Sequence, residues 1–206
     1  MSVNLKAEVS RTAAPEVRRK QLIDATITCI AKSGIAGTTL TAVTKEAGLS
    51  LGLVNFHFKS KDALLAATLN ALAEEHRALW TKALGQGGLS AADKLAAIVD
   101  AQFHPRVCSR KKLAVWFAFF GDAAHRKSYR ASSSHIDAER QETSARLCRE
   151  IGDVDAEQIA ATLEGLFDGL WLNMLMYPDK FQRQEAARSV FAYLRTQFPS
   201  HFADRA

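Results

Sequence analysis

Apolar residues recur at spacings of three and four along the chain, the period of a helix with one buried face, and no segment alternates apolar and polar positions between hairpin turns. The pattern predicts an all-α protein. Ile23, Ile27 and Ile30 form a first stripe, which Ser33-Gly34 is expected to close, since glycine tolerates the left-handed conformation of a helix end. Thr38-Thr39 offers a hydroxyl cap for a short helix from Leu40 to about Ala47 that stops at Gly48, and Ser50 caps another through Phe58. That second helix is too short to stand alone, so it must pack on its neighbours.

From Lys61-Asp62 a longer period begins, with Leu64, Leu65, Leu69, Leu72, Leu79 and Leu84 on or near one face until Gly85-Gln86-Gly87-Gly88. About 24 residues at 1.5 Å each span roughly 36 Å, the length of a strut across a small domain. Further helices are expected from Ser90 to about Phe103, Lys112 to Asp122, Ser134 to Ile151, Asp155 to Met176, and about Gln182 to Phe198. No proline falls between Glu16 and His104 to interrupt this series.

Charge divides the chain in two. The net charge of +5 lies wholly within the first 61 residues, where Lys6, Arg11, Arg18, Arg19, Lys20, Lys32, Lys45, Lys59 and Lys61 face only Glu8, Glu16, Asp24 and Glu46. The remainder is balanced. A basic module joined to a neutral one suits a polyanionic partner, although a solvated basic surface gives the same arithmetic. No stretch has the roughly 18 continuous apolar residues of a membrane helix, and Met1 to Pro15 lacks the apolar core of a signal peptide; a cytoplasmic location without membrane contact is expected. Cys29, Cys108 and Cys148 are odd in number and far apart, so buried free thiols are expected rather than disulfides or a metal site.

A short helix, a glycine-centred turn and a serine-capped second helix make the outline of a helix-turn-helix, whose second helix enters the major groove. The run Thr38-Thr39-Leu40-Thr41-Ala42-Val43-Thr44-Lys45-Glu46-Ala47-Gly48-Leu49-Ser50-Leu51-Gly52-Leu53-Val54-Asn55-Phe56-His57-Phe58-Lys59-Ser60-Lys61-Asp62-Ala63-Leu64-Leu65, with Arg18 to Ala25 upstream, closely resembles the DNA-binding signature of the TetR family of bacterial repressors. The resemblance implies a flexible tail over 1–15, a DNA-binding domain over 16–60 and a helical ligand-binding and dimerisation domain over 61–206. It also implies a homodimer on a pseudo-palindromic operator, released when a small-molecule effector shifts the strut helix and respaces the two recognition helices.

By the same resemblance Thr39, Ser50, Leu51, Gly52, Asn55 and Phe56 lie at or near DNA, with His57 and Lys61 on phosphates. Val43, Ala47, Leu49 and Phe58 are spaced to form the module's small core. Asn55 has the chemistry to read adenine by a bidentate hydrogen bond, and Leu51 can touch a thymine methyl. Relatives often carry Ala where Thr44 stands and Tyr where Asn55 or His57 stands. Thr44 is tolerated if its hydroxyl bonds back to a helix carbonyl. Arg11, Arg18, Arg19 and Lys20 either reach DNA or form a solvated basic end.

In the neutral part, Leu113 to Asp122 and Leu163 to Leu172 are similar to the C-terminal domain of BetI-type repressors, which control glycine-betaine synthesis from choline; Tyr129-Arg130 and Phe191 to Phe202 fit the same group. A quaternary ammonium offers no hydrogen bonds and is held by aromatic faces and a carboxylate. Trp116, Phe120, Phe167 and Trp171 are the candidate faces, and Asp168 or Asp122 the charge. The competing expectation is plain apolar core, or an unrelated hydrophobic ligand, and Glu157, Glu164 and Asp168 are spaced as one solvated stripe, the reading favoured for Glu164.

Enzyme chemistry is thin. Pro105 breaks any helix aligning His104 with Cys108, Ser132-Ser133-Ser134-His135 has no acid partner, and no metal-protease, phosphate-loop or dinucleotide fingerprint occurs, so neither a catalytic site nor a cofactor is expected. Nonspecific DNA packaging or activation is the remaining alternative, separable from repression by the ratio of specific to nonspecific binding.

Overall fold

The computed structural model describes residues 14–122 and 126–203, side chains excepted for 126–134. Among the described residues it contains helices and no strands. These are α1 (Pro15–Gly37), α2 (Leu40–Ala47), α3 (Leu51–His57), α4 (Lys61–Leu84), α5 (Ala91–Gln102), α6 (Arg110–Gly121), α7 (Arg126–Ile151), α8 (Ala156–Met176) and α9 (Arg183–Gln197). Residues 1–13 of the tail expected over 1–15, Arg11 among them, and the side chains of Tyr129, Arg130 and Ser132 to Ser134 lie outside the described residues, while Pro15 already belongs to α1. The chain divides into two compact units between Thr68 and Leu69, inside α4.

Local chemistry sets the ends of the short helices. Thr39 and Ser50 are N-caps whose hydroxyls accept from the Ala42 and Leu53 N–H groups at 3.1 and 3.3 Å, satisfying donors that the first turn would leave open. Gly48 closes α2 at φ 65°, a left-handed position that costs glycine nothing. Further on, Ser90 and Asp93 form a reciprocal capping box at α5, and Ser109 caps α6.

Two boundaries differ from the sequence expectation. Gly34 takes φ 68° and breaks the helical run, but helical structure resumes and reaches Gly37, with Ile35 buried at 4% exposure and Thr38 Oγ1 donating to the Gly34 carbonyl at 2.8 Å. The charged helix α7 starts at Arg126 rather than near Ser134, since neither glycine nor proline interrupts 126–151.

In the first unit Leu22, Val43, Val54, Leu64 and Leu65 are essentially inaccessible and Phe58 is buried beside them. Leu49, expected in this core, is only half-buried; Val54 fills the fully buried place instead. In the second unit the core gathers Leu69, Trp80, Leu95, Ile98, Leu113, Phe119, Leu147, Leu163 and Phe202. All three cysteines are free and buried, as their surroundings predicted. None of the described helices is long and apolar enough to cross a membrane.

Candidate functional site

The outer face of α3 follows from its length of seven residues and its one fully buried side chain. Val54 points into the core, and its neighbours at other angles point away from it: Leu51 is 47% and Phe56 77% exposed, and Gly52 and Asn55 are exposed as well. Leu51 and Phe56 are thus apolar groups open to water on a basic module, outside its core. A Cβ on Gly52 would approach nothing closer than Ser50 Oγ at 3.9 Å, so the missing side chain serves the outside of the helix, where it leaves the backbone bare. His57 is half-buried between Phe56, whose ring it meets edge-on at 5.1 Å, and Phe58 at 6.4 Å. Thr39 and Ser50 use their oxygens as caps, which leaves each hydroxyl proton available to an acceptor outside.

The nearby cations already have internal partners. Lys61 Nζ donates to the Ile35 carbonyl at 2.8 Å, Arg18 is buried and donates to Gln21, the Arg19 guanidinium lies 4.7 Å above the Phe58 ring, and Lys20 pairs with Asp24 at 2.6 Å. Gln21 Nε2 in turn donates to the last carbonyl of α2, that of Ala47, at 2.7 Å. Gln21 and Arg19 thus brace α1 against α2 and Phe58, while Lys20 stays exposed beside Asp24 of its own helix. Thr44 bonds back to the Thr41 carbonyl at 2.8 Å, the arrangement its presence in a helix requires.

The second unit holds a cavity of about 340 Å³ whose wall includes Trp116, Phe120, Phe167, Asp168 and Trp171, all five residues expected to bind ligand. Trp116 and Trp171 have ring centroids 6.4 Å apart and planes tilted by 30°. Trp171 is fixed by its indole N–H, which donates to the Gln102 carbonyl at 3.0 Å. Phe167 meets Phe103 edge-on at 6.1 Å, while Phe120 is half-buried. Asp122 is not in this wall; it closes α6 as its C-cap.

Charge in the cavity differs from the expectation. Glu164 is not part of a solvated stripe: it receives Arg140 through Nε at 3.0 Å and also through Nη2, which reaches Asp137 at 3.2 Å as well. Glu157 lies far out, paired with Arg149, and Asp168 is exposed on its cavity side. The reason is tertiary, because α7 brings the buried cation Arg140 against that face of α8. Asp168 keeps accessible surface, yet partial desolvation and then the negative charges of Glu164 and Asp137 push its carboxyl up to about 6, against the opposing pull of Arg140.

Sequence reasoning missed His76, Gln102, Asp137 and Arg140. His76 had a signal, since it stands four residues from both Leu72 and Trp80 on the apolar face of α4. Its ring lies 5.7 Å from Trp171, and burial with Arg140 nearby lowers its pKa to about 3, so it is neutral at physiological pH. Gln102 and Arg140 carried no local signal.

Exposed side chains on a serine-capped recognition helix, and an aromatic, acidic cavity in a separate helical unit, define a helix-turn-helix transcriptional regulator. Residues 22–68 match the bacterial regulatory proteins of the tetR family, and residues 91–199 match the BetI-type transcriptional repressor C-terminal domain. The chain belongs to the TetR family of transcriptional regulators, with a BetI-type C-terminal domain, and its relatives are regulators rather than enzymes. It is similar to the HTH-type transcriptional regulators BetI of Paraburkholderia phymatum, 33% identical over 87% of this chain and 92% of that one, and of Paraburkholderia xenovorans, with the same identity and coverage. A transcriptional regulator from Pseudomonas aeruginosa PAO1 superposes with a TM-score of 0.79 at 28% identity, covering 97% of this chain and 99% of its own. A regulator from Saccharomonospora viridis solved in complex with choline shares the fold, with a TM-score of 0.69 at 19% identity over 87% of this chain and 96% of its own.

Proposed function

We propose that this regulator is a dimeric repressor of the cytoplasm that holds a pseudo-palindromic operator until a quaternary ammonium compound occupies the cavity of its second unit. The observation that carries the ligand class is the wall itself: Trp116, Phe120, Phe167 and Trp171 stand with Asp168 around one space. The Asp168 carboxylate would burden a purely hydrophobic ligand, which displaces its water without replacing it; a cation turns the same group into attraction. The choline bound by the Saccharomonospora viridis regulator is consistent with this class.

On DNA, Asn55 reads adenine, Leu51 and Phe56 contact base or sugar surface, and the hydroxyls of Thr39 and Ser50, the His57 ring and Lys61 meet phosphates. Lys61 has three N–H donors, of which Ile35 takes one, so a phosphate contact is compatible with its internal bond. Leu172 and Met176, one turn apart on α8, and the adjoining Tyr177 are 43%, 59% and 53% exposed, an apolar strip suited to self-association. Occupancy reaches DNA through α4, which carries His76 in the cavity wall and starts at Lys61.

Coupling between the two sites is reciprocal, so the test is calorimetric. Choline or tetramethylammonium should bind the free protein more tightly than the operator complex, by the factor by which it lowers operator affinity. Equal ligand affinity in the two states would overturn the proposal.

A further inference from the structure

A cage for a bare tetraalkylammonium needs aromatic faces and negative charge, and it has no use for hydrogen-bond donors. This wall contains them nonetheless. Arg140 is 6% exposed, and while its Nε and Nη2 are engaged by Glu164 and Asp137, its Nη1 has no partner. Gln102 is 1% exposed and its Nε2 is likewise without a partner, while its side chain lies within hydrogen-bonding reach of the His76 ring. All three residues line the one cavity. Buried donors left open are rare and expensive in a folded protein, and guanidinium and amide nitrogens can only donate. Both therefore call for an acceptor that the chain itself does not supply.

The wall carries two sets of groups: Asp168 and the tilted pair Trp116 and Trp171 suit a cation, whereas Arg140 and Gln102 offer donors, with Trp171 bonded to the Gln102 carbonyl and Asp168 within the field of Arg140. The Glu164 oxygens are already occupied by Arg140, which reduces their repulsion of a second anion at Nη1. Because His76 is neutral, it adds no competing positive charge beside Trp171. A volume of about 340 Å³ lies within the range of pockets that enclose a whole small molecule, with space for two poles rather than one head group.

We infer that the effector is a zwitterionic onium carboxylate, its cationic head against Trp116, Trp171 and Asp168 and its carboxylate accepting from Arg140 Nη1 and Gln102 Nε2. This rests on the onium reading above and narrows it from any quaternary ammonium to those that carry an acid.

The experiment is calorimetry on the full chain with tetramethylammonium, choline, glycine betaine and γ-butyrobetaine, the last two placing the carboxylate at different distances from the head. At least one of the two betaines should bind about tenfold or more tightly than either tetramethylammonium or choline, the gain expected of a charge-assisted hydrogen bond in a buried site. Arg140→Lys, which keeps a cation for Glu164 but loses the guanidinium fork, should bring that preference below about threefold. Gln102→Leu alters no charge, so it tests the donors even if the Arg140 variant folds poorly. Choline binding as tightly as both betaines, or a betaine preference that survives Gln102→Leu and Arg140→Lys, would overturn the inference and leave the onium reading standing. If none of the four compounds binds, the onium reading itself is overturned.

Discussion

In the first unit buried and exposed side chains alternate along one short helix, while in the second the same side chains are core and cavity wall at once. Val54 of α3 is wholly buried, and the next two residues, Asn55 and Phe56, are exposed. Around the cavity, by contrast, Trp171, Phe167 and Arg140 are buried parts of the core and parts of the wall at once. Recognition and stability are therefore separable by mutation in the first unit and entangled in the second. The design suits the two tasks: reading DNA needs a rigid platform with projecting groups, whereas enclosing a small molecule needs a wall that packing itself holds in shape.

The largest effects should expose this entanglement. Arg140→Ala strands Glu164 without its cation and should cost about 3–5 kcal/mol in denaturant unfolding, the usual result of breaking a buried pair from one side. Adding Glu164→Gln should recover part of that loss, and no recovery would show that Arg140 contributes by packing alone. Phe58→Ala should cost a similar amount, about 3–5 kcal/mol, because it removes the ring on which α1 and Arg19 rest.

The next effect concerns pH. The Asp168 carboxyl titrates near 6, with Glu164 of its own helix, Asp137 and Arg140 of α7 and the neutral His76 of α4 around it. A raised carboxyl pKa means that the acid is protonated below about 6 and charged above it. Tetramethylammonium should therefore bind more tightly as pH rises through 6 and level off above 7, losing up to about tenfold per unit on the acid side. Asp168→Asn should flatten that profile; an unchanged slope would locate the charge elsewhere.

Smaller still are the changes that separation predicts for α3. Asn55→Ala should leave stability within about 0.5 kcal/mol and cost about 1–3 kcal/mol of discrimination at one operator position, read by binding to operator variants. A uniform loss across variants would make Asn55 a backbone contact. Lys61→Met should weaken binding to all sequences alike and lower the salt slope by about 1 if Lys61 also meets a phosphate, and leave the slope alone if the Ile35 carbonyl is its whole role.

What could be read from the chain beforehand follows the same division. Thr39, Gly48 and Ser50 were legible because caps and left-handed turns depend on neighbours within four residues. The aromatic residues of the cavity were legible as a cluster, since α6 and α8 each carry theirs at helical spacing. Arg140 and Gln102 were not, because their meaning comes from residues 24 and 69 positions away: Glu164 as the partner of one, and Trp171 as the donor to the other's carbonyl. Glu164 was misjudged for the same reason. A carboxylate at a surface-like spacing looks solvated until another helix brings a guanidinium against it.

The tilted pair Trp116 and Trp171 has a practical consequence. The chain contains three tryptophans, and two of them stand in the cavity wall. Their indoles emit from the place where an effector would sit, so intrinsic fluorescence should report occupancy without any dye or label. A titration at a single emission wavelength would then turn a library of candidate metabolites into a ranked series of affinities.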